Sequence, residues 1–370
     1  MDYQRAFRDP EAAGVLISAI RRTCQGHEPI RLMEFCGGHT HAIMRFGIRQ
    51  ALWPAVQLLS GPGCPVCVTD DSDIDRAIAL ATLPQVTVAT FGDMIRVPGS
   101  RLSLQDARAR GADVRVVYSA LDAVALARRY PERQVVMLGI GFETTAPTVA
   151  ASVLQAHQEG LGNYSVYTVH KLTPPAMRAI LDAGQVRLDG VIGPGHVTSI
   201  IGWQAWSFLP QDYGIPCAVS GFEPLDILQA IYSLVQSVVQ ERPAVFNDYG
   251  RGVSREGNLT AQAMMARVFT PAKARWRGLG ELEQSGLEFR EGFADFDAHL
   301  RFASSLPEMP PATPRKGCRC GDVLRGMITP QECPLFGKAC TPSRPVGPCM
   351  VSAEGACAAY YQYGGTRGSI

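Results

Sequence analysis

Apolar residues along this chain fall into short unbroken runs, and between the runs they return with a helical spacing. The runs are IRLMEF, AVQLLSG, VTVATFG, DVRVVYS, QVVMLGIGF, YSVYTVH, LDGVIGPG and IPCAVSGF, each rich in β-branched or aliphatic residues and set between Gly or Pro punctuation. A strand with one wet face alternates, so continuous apolar runs predict strands covered on both faces, as in a mainly parallel sheet. DIDRAIALAT and LDAVALARRY carry apolar residues three and four positions apart and read as the covering helices. The expectation is an α/β chain of Rossmann-like character whose strand ends carry its glycines.

Taken in order, those strand ends repeat. EFCGGHTHAI (34–43), SGPGCPVCVT (60–69) and ATFGDMI (89–95) are followed by GIGFETTAPTVA (139–150), IGPGHVTSII (192–201) and VSGFEPLDI (219–227). Each half offers a glycine-rich turn before a helix, then a GPG turn, then an FG or GF turn with an acid beyond it. Two similar α/β domains facing a central cleft are expected, with loops at the carboxyl ends of parallel strands meeting there. In that alignment Cys64 and Cys67 take the places of His196 and Ser199. The expected boundaries are 1–130 for the first domain and 131–240 for the second, which ends with the apolar helix ILQAIYSLVQSVVQ. A polar, helical or irregular connection follows over 241–303, then a cysteine-rich domain over 304–370 behind the proline-rich SSLPEMPPATPRKG.

Composition narrows the setting. The 370 residues exceed the roughly 250–300 that one core serves, and 46% hydrophobic with 19% charged residues is ordinary globular material. A formal net charge of +1 leaves no basic footprint for nucleic acid. The opening MDYQRAFRDPEAAG lacks the basic start and apolar core of a signal peptide, and no run reaches the roughly 18 apolar residues of a membrane span. A cytoplasmic protein is expected, with no nucleic-acid or membrane partner. In that reducing setting the eleven cysteines read as ligands or redox groups before structural disulfides.

Six of them crowd the C-terminal segment, with the spacing Cys320-x12-Cys333-x6-Cys340-x16-Cys357 and with Cys318 and Cys349 as alternates. Four thiolates suit an iron–sulfur cluster or tetrahedral zinc; the tail lacks the paired C-x2–4-C knuckles of zinc sites, and its ECPLFG step favours iron–sulfur. GPGCPVC places Cys64 and Cys67 on one turn as a C-x-x-C dithiol, whose first thiol a helix N-terminus would acidify. In EFCGGHTH, Cys36 and His39 offer thiolate and imidazole to a transition metal, while Gly37 and Gly38 let backbone N–H groups approach a ligand. A Cys–His nucleophile is the competing reading. GFETTAP offers Glu143 at a helix start, where simple capping is the plainer explanation. Asp93, His170, Lys171 and His196 stand at other strand ends, and Cys24 and Cys217 read as structural. No GxxxxGK[ST] loop supports nucleotide hydrolysis.

Together EFCGGHTHAI, GPGCPVCVT, FGDM, GFETTAPT, GPGHV, SGFEP and GKACTP…GPCMVSAEGACAAYY make the chain resemble the HypD family of NiFe hydrogenase maturation proteins over nearly its whole length. The resemblance implies two similar α/β domains around a cleft and a third domain holding a 4Fe-4S cluster. It implies a scaffold that works with a HypC-type small chaperone to assemble an Fe(CN)2(CO) unit, destined indirectly for the hydrogenase large subunit. Cyanide would come from a HypE-type donor. The iron-ligand role falls on Cys36 with His39 close by, the dithiol role on Cys64 and Cys67, and the cluster role on the tail cysteines with Glu354 beside them. A monomer that forms a heterodimer is expected. The alternative is a 4Fe-4S-dependent thiol–disulfide oxidoreductase acting on a protein substrate.

Overall fold

Each of the eight apolar runs is a strand in the computed structural model, which describes residues 6–306 and 315–364. They are β1 (Ile30–Glu34), β2 (Val56–Ser60), β3 (Val86–Thr90), β4 (Asp113–Val116), β5 (Gln134–Gly139), β6 (Tyr164–Thr168), β7 (Gly190–Pro194) and β8 (Cys217–Ser220). With a short β9 (Val245–Asn247) they form two sheets, both wholly parallel. One has the order β2-β1-β7-β8-β9 and the other β4-β3-β5-β6. The fold is α/β, as the continuous apolar runs require.

The sheets do not follow the expected division of the chain. A boundary at 130 separates β3 and β4 from β5 and β6, their partners in the four-stranded sheet, and leaves β1 and β2 apart from β7. The first sheet is instead built from two distant segments, with Leu32 of β1 paired to Leu58 on one side and to Gly190 on the other. The four-stranded sheet is an insertion between them.

Among the described residues, three of the four apolar clusters hold the two sheets. Helices Pro10–Thr23 and Pro224–Val239 pack on the five-stranded sheet through Ile20, Ile227, Ile231 and Leu234. Helices Ala120–Arg129 and Ala146–Gln158 cover the four-stranded sheet through Val124, Val149 and Val153. The third core is shared, running from Met33, Val191 and Val219 of one sheet to Val88, Val136 and Leu138 of the other.

Residues 241–303, expected to be helical or irregular, contain β9, helix Leu259–Val268 and an antiparallel hairpin of β10 (Phe269–Trp276) and β11 (Gly280–Phe289). The tail is a run of short helices, of which Ala356–Tyr363 packs on helix Gly37–Arg45 through Met44, Ala359 and Tyr360. Most of the expected proline-rich linker lies outside the described residues. No described helix is long and apolar enough to cross a membrane.

Candidate functional site

Strand order locates the site. In the five-stranded sheet β1 connects toward β2 on one side and β7 toward β8 on the other, so their adjacent carboxyl ends form a topological switch point, where open α/β sheets bind ligands. The loop after β1 carries Cys36 and the loop after β7 carries His196, whose Nδ1 lies 3.5 Å from Cys36 Sγ. The four-stranded sheet has its own switch point between β3 and β5. There Asp93 faces Thr144 and Thr145 across a cavity of about 540 Å³.

Cys36 lies two residues beyond β1, at the N-cap position of helix Gly37–Arg45. Its amide donates to Glu34 Oε2 at 2.9 Å, and the Thr40 hydroxyl donates to the other oxygen of the same buried carboxyl. Burial pushes Glu34 up to about 8 against those hydrogen bonds and one from Ser60. Burial also pushes the Cys36 thiol well up, and the charges of Glu354 and Glu34 add to the rise, while the Gly38 and His39 amides oppose it. Tight backbone packing holds the loop: a Cβ on Gly63 would lie 2.2 Å from the Cys36 nitrogen, and one on Gly38 would lie 3.4 Å from Cys36 Sγ.

The two histidines exchange their expected places. His39 is wholly buried and its Nε2 donates to the Gly221 and Ser220 carbonyls at 2.9 and 3.3 Å. Among the described residues its Nδ1 has no hydrogen-bond partner, and its ring stacks on Phe222 at 4.8 Å. His196 is the imidazole that meets the thiol. Burial lowers both to about 4, with the neighbouring His196 a further cause for His39. Thiol and imidazole are therefore both neutral at pH 7, which opposes the Cys–His nucleophile, since that chemistry needs an activated thiolate. Cys36, Gly38, His196 and Phe222 line a cavity of about 390 Å³. Glu354 lines this cavity and the one at the second switch point.

Cys64 and Cys67 form a disulfide, 3% and 0% exposed. The helix they open, Pro65–Val68, has four residues, so the expected acidification by a helix macrodipole has little to act through. Asp93 accepts from the Ser352 hydroxyl at 3.0 Å, tying the second crevice to the tail. Glu143 lies elsewhere: it accepts from the Thr173 amide and hydroxyl at 2.7 and 3.1 Å and lines neither crevice. Its neighbours Thr144 and Thr145 face the cleft in its place.

In the tail, Cys320 and Cys349 have their sulfurs 2.8 Å apart. Burial raises Cys357, and the charges of Cys320, Cys318, Cys340 and Cys333 add to it, so these thiols share one neighbourhood. Arg277 and Arg315 bring positive charge to the same place. Among the described residues no three His, Cys, Asp or Glu side chains converge on a single metal position.

His196, expected only as one of several residues at strand ends, is the imidazole nearest Cys36. Its one signal was the GPGH turn mirroring GPGC; nothing local foretold that β7 would lie against β1.

A family described as HypD, Hydrogenase formation hypA family, matches residues 11–364. The "Hydrogenase maturation factor HypD" of Rhodobacter capsulatus is 46% identical over 374 residues, covering 99% of each chain. The protein of that name from Azotobacter vinelandii is 48% identical over 377 residues, covering 100% of this chain and 99% of its own. The one from Escherichia coli strain K12 is 43% identical over 369 residues, covering 98% of each.

Proposed function

Since the chain belongs to the HypD family of hydrogenase maturation factors, we propose that it is the redox-active scaffold on which the iron unit of a NiFe hydrogenase is built. In this reading it holds iron together with a HypC-type small chaperone while two cyanides and one carbon monoxide are added, the cyanides arriving from a HypE-type donor. The observation that carries the reading is the buried Cys36 thiol beside His196 at a switch point, facing a cavity of about 390 Å³.

Iron here is cargo. A thiol pushed up by burial keeps its proton until a metal displaces it, so taking up iron and losing the proton are one event. Thiolate with a neutral imidazole suits iron. The missing side chain at Gly38, which would crowd both Phe222 and the Cys36 sulfur, leaves space beside the metal for small diatomic ligands. The site roles divide accordingly: Cys36 and His196 bind, His39 fixes the Gly221 turn, Glu354 lines both crevices and Asp93 lines only the second.

The tail fits a 4Fe-4S cluster in its donor set: Cys320, Cys333, Cys340 and Cys357, with Cys318 and Cys349 as alternates, beside two guanidinium groups that offset thiolate charge. Four irons each taking one thiolate need sulfurs placed around a volume rather than converging on a point. Such a cluster supplies one-electron redox capacity when bound. The Cys64–Cys67 pair opens to two thiols on gaining two electrons and two protons. A thiol–disulfide oxidoreductase would share these parts, but exchange with a protein substrate needs an accessible sulfur, and both are buried.

Infrared spectroscopy of the protein purified anaerobically with its small chaperone tests the scaffold. Cyanide and carbon monoxide stretching bands are expected in the wild type and absent in Cys36→Ala. A wild type without those bands, yet with dithiol exchange intact, overturns the scaffold and favours the oxidoreductase.

A further inference from the structure

We propose that Arg277, at the turn of the β10–β11 hairpin, is a positioning residue that links the Cys64–Cys67 pair to the tail cysteines and sets how readily that disulfide opens. The inference rests on the redox role given above to the pair.

The hairpin turn lies against both thiol groups. Thr69, two residues beyond Cys67, bridges to Trp276, and the Arg277 amide donates to the Val68 carbonyl at 2.8 Å. The guanidinium then spends three nitrogens on the same segment. Nε donates to the Cys67 carbonyl at 3.0 Å, one terminal nitrogen to the Thr69 carbonyl at 2.6 Å, and the other to Asp71 Oδ2 at 2.6 Å. A planar fork can serve three acceptors at once, which holds its charge beside Cys67. On its other side the turn touches the tail: a Cβ on Gly278 would lie 2.6 Å from the Cα of Gly321, the residue after Cys320.

The charge is placed to matter. Arg277 and Arg315 both pair with Asp71, and the three side chains are only 10%, 13% and 13% exposed. These charges sit in a poorly screened place, where the loss of any one of them is felt by the others. Burial works against the Arg277 charge, while Asp71, Cys320 and Cys349 sustain it. A cation held beside Cys67 favours whatever ionised thiol appears when the disulfide opens, and stabilising the reduced form makes a disulfide easier to reduce.

The test is a redox titration of the full-length protein against mixtures of reduced and oxidised dithiothreitol, trapping free thiols and counting Cys64 and Cys67 by peptide mass. As the reductant's two thiols close to a disulfide, they lose the two electrons and two protons that the Cys64–Cys67 pair gains on opening. Arg277→Gln is expected to move the equilibrium toward the disulfide by about tenfold, about 30 mV for a two-electron couple. Arg277→Lys keeps the cation and should recover most of that shift. Asp71→Asn removes the compensating anion and should move the equilibrium the opposite way, a sign that mere loosening of the fold would not produce. If the glutamine variant does not fold, the lysine and asparagine variants still carry the test. Coincident wild-type and Gln curves, a Lys variant displaced as far as Gln, or an Asn variant displaced in the Gln direction overturns the role of Arg277 alone. A wild-type disulfide that never opens in the series overturns the redox role of the pair, and the inference with it.

Discussion

At the end of β6, His170 is 1% exposed and its Nδ1 lies 2.9 Å from the Thr168 hydroxyl. Burial, with the adjacent Lys171 charge, lowers its pKa to about 3. An unfolded chain protonates this imidazole as pH falls below about 6.5, whereas the folded chain keeps it neutral until about 3. The unfolded state therefore binds the extra proton across that window, and the contribution of His170 to stability is lost as pH falls. Calorimetry on wild type and His170→Gln from pH 6.5 to 4.5 should show the wild-type midpoint losing ground to the variant as acidity rises. The comparison of two chains is needed because Glu34 and Glu143, raised by burial to about 8 and about 7, act oppositely. They keep in the folded state a proton that the unfolded chain sheds above about 4.5, so their contributions weaken stability as pH rises.

Among the elements, strands buried on both faces and helices with a strong apolar stripe, such as Asp71–Thr82 and Ala120–Arg129, were legible, and the polar hairpin was not. All eight apolar runs are strands because a parallel sheet leaves no wet face to demand polar residues. The β10 segment FTPAKARW alternates instead, Phe269 and Trp276 buried at its ends and Pro271, Lys273 and Arg275 exposed between them. Four of the eight positions, Thr270, Pro271, Lys273 and Arg275, lie outside the hydrophobic class and two more are alanine, and β11 is dominated by Glu and Gly, so the hairpin passes for a polar connection. Helix Leu259–Val268 agrees with the helical or irregular connection expected over 241–303, and its apolar face is only partly covered. Its start is marked by Asn258, whose Oδ1 accepts from the Ala261 amide at 3.0 Å. Asn258→Ala should cost about 1 kcal/mol, read as a lowered urea midpoint with unchanged slope. A change near zero would mean that packing alone holds this helix.

For the whole molecule, strand pairing between distant segments is what local pattern could not convey. The turns that looked like two consecutive repeats are distributed otherwise, because both GPG turns follow strands of the five-stranded sheet while FGDM belongs to the four-stranded one. Hence the EFCGGHTH motif could be picked out of the sequence, but not the imidazole that lies 3.5 Å from the Cys36 sulfur. Expressed separately, residues 1–130 and 131–240 should each give the narrow amide-proton dispersion of unfolded chain, since each holds part of both sheets; wide dispersion in either would show that it folds alone. The interleaving also bears on events during translation. Cys36 and His196 are 160 residues apart, and at roughly 5–20 residues per second a ribosome takes on the order of ten seconds to pass from one to the other. Throughout that interval the nascent chain displays its thiol without β7, without the imidazole and without the tail that encloses it. The Cys36–His196 pair thus comes into being only once β7 has been made and has packed beside β1.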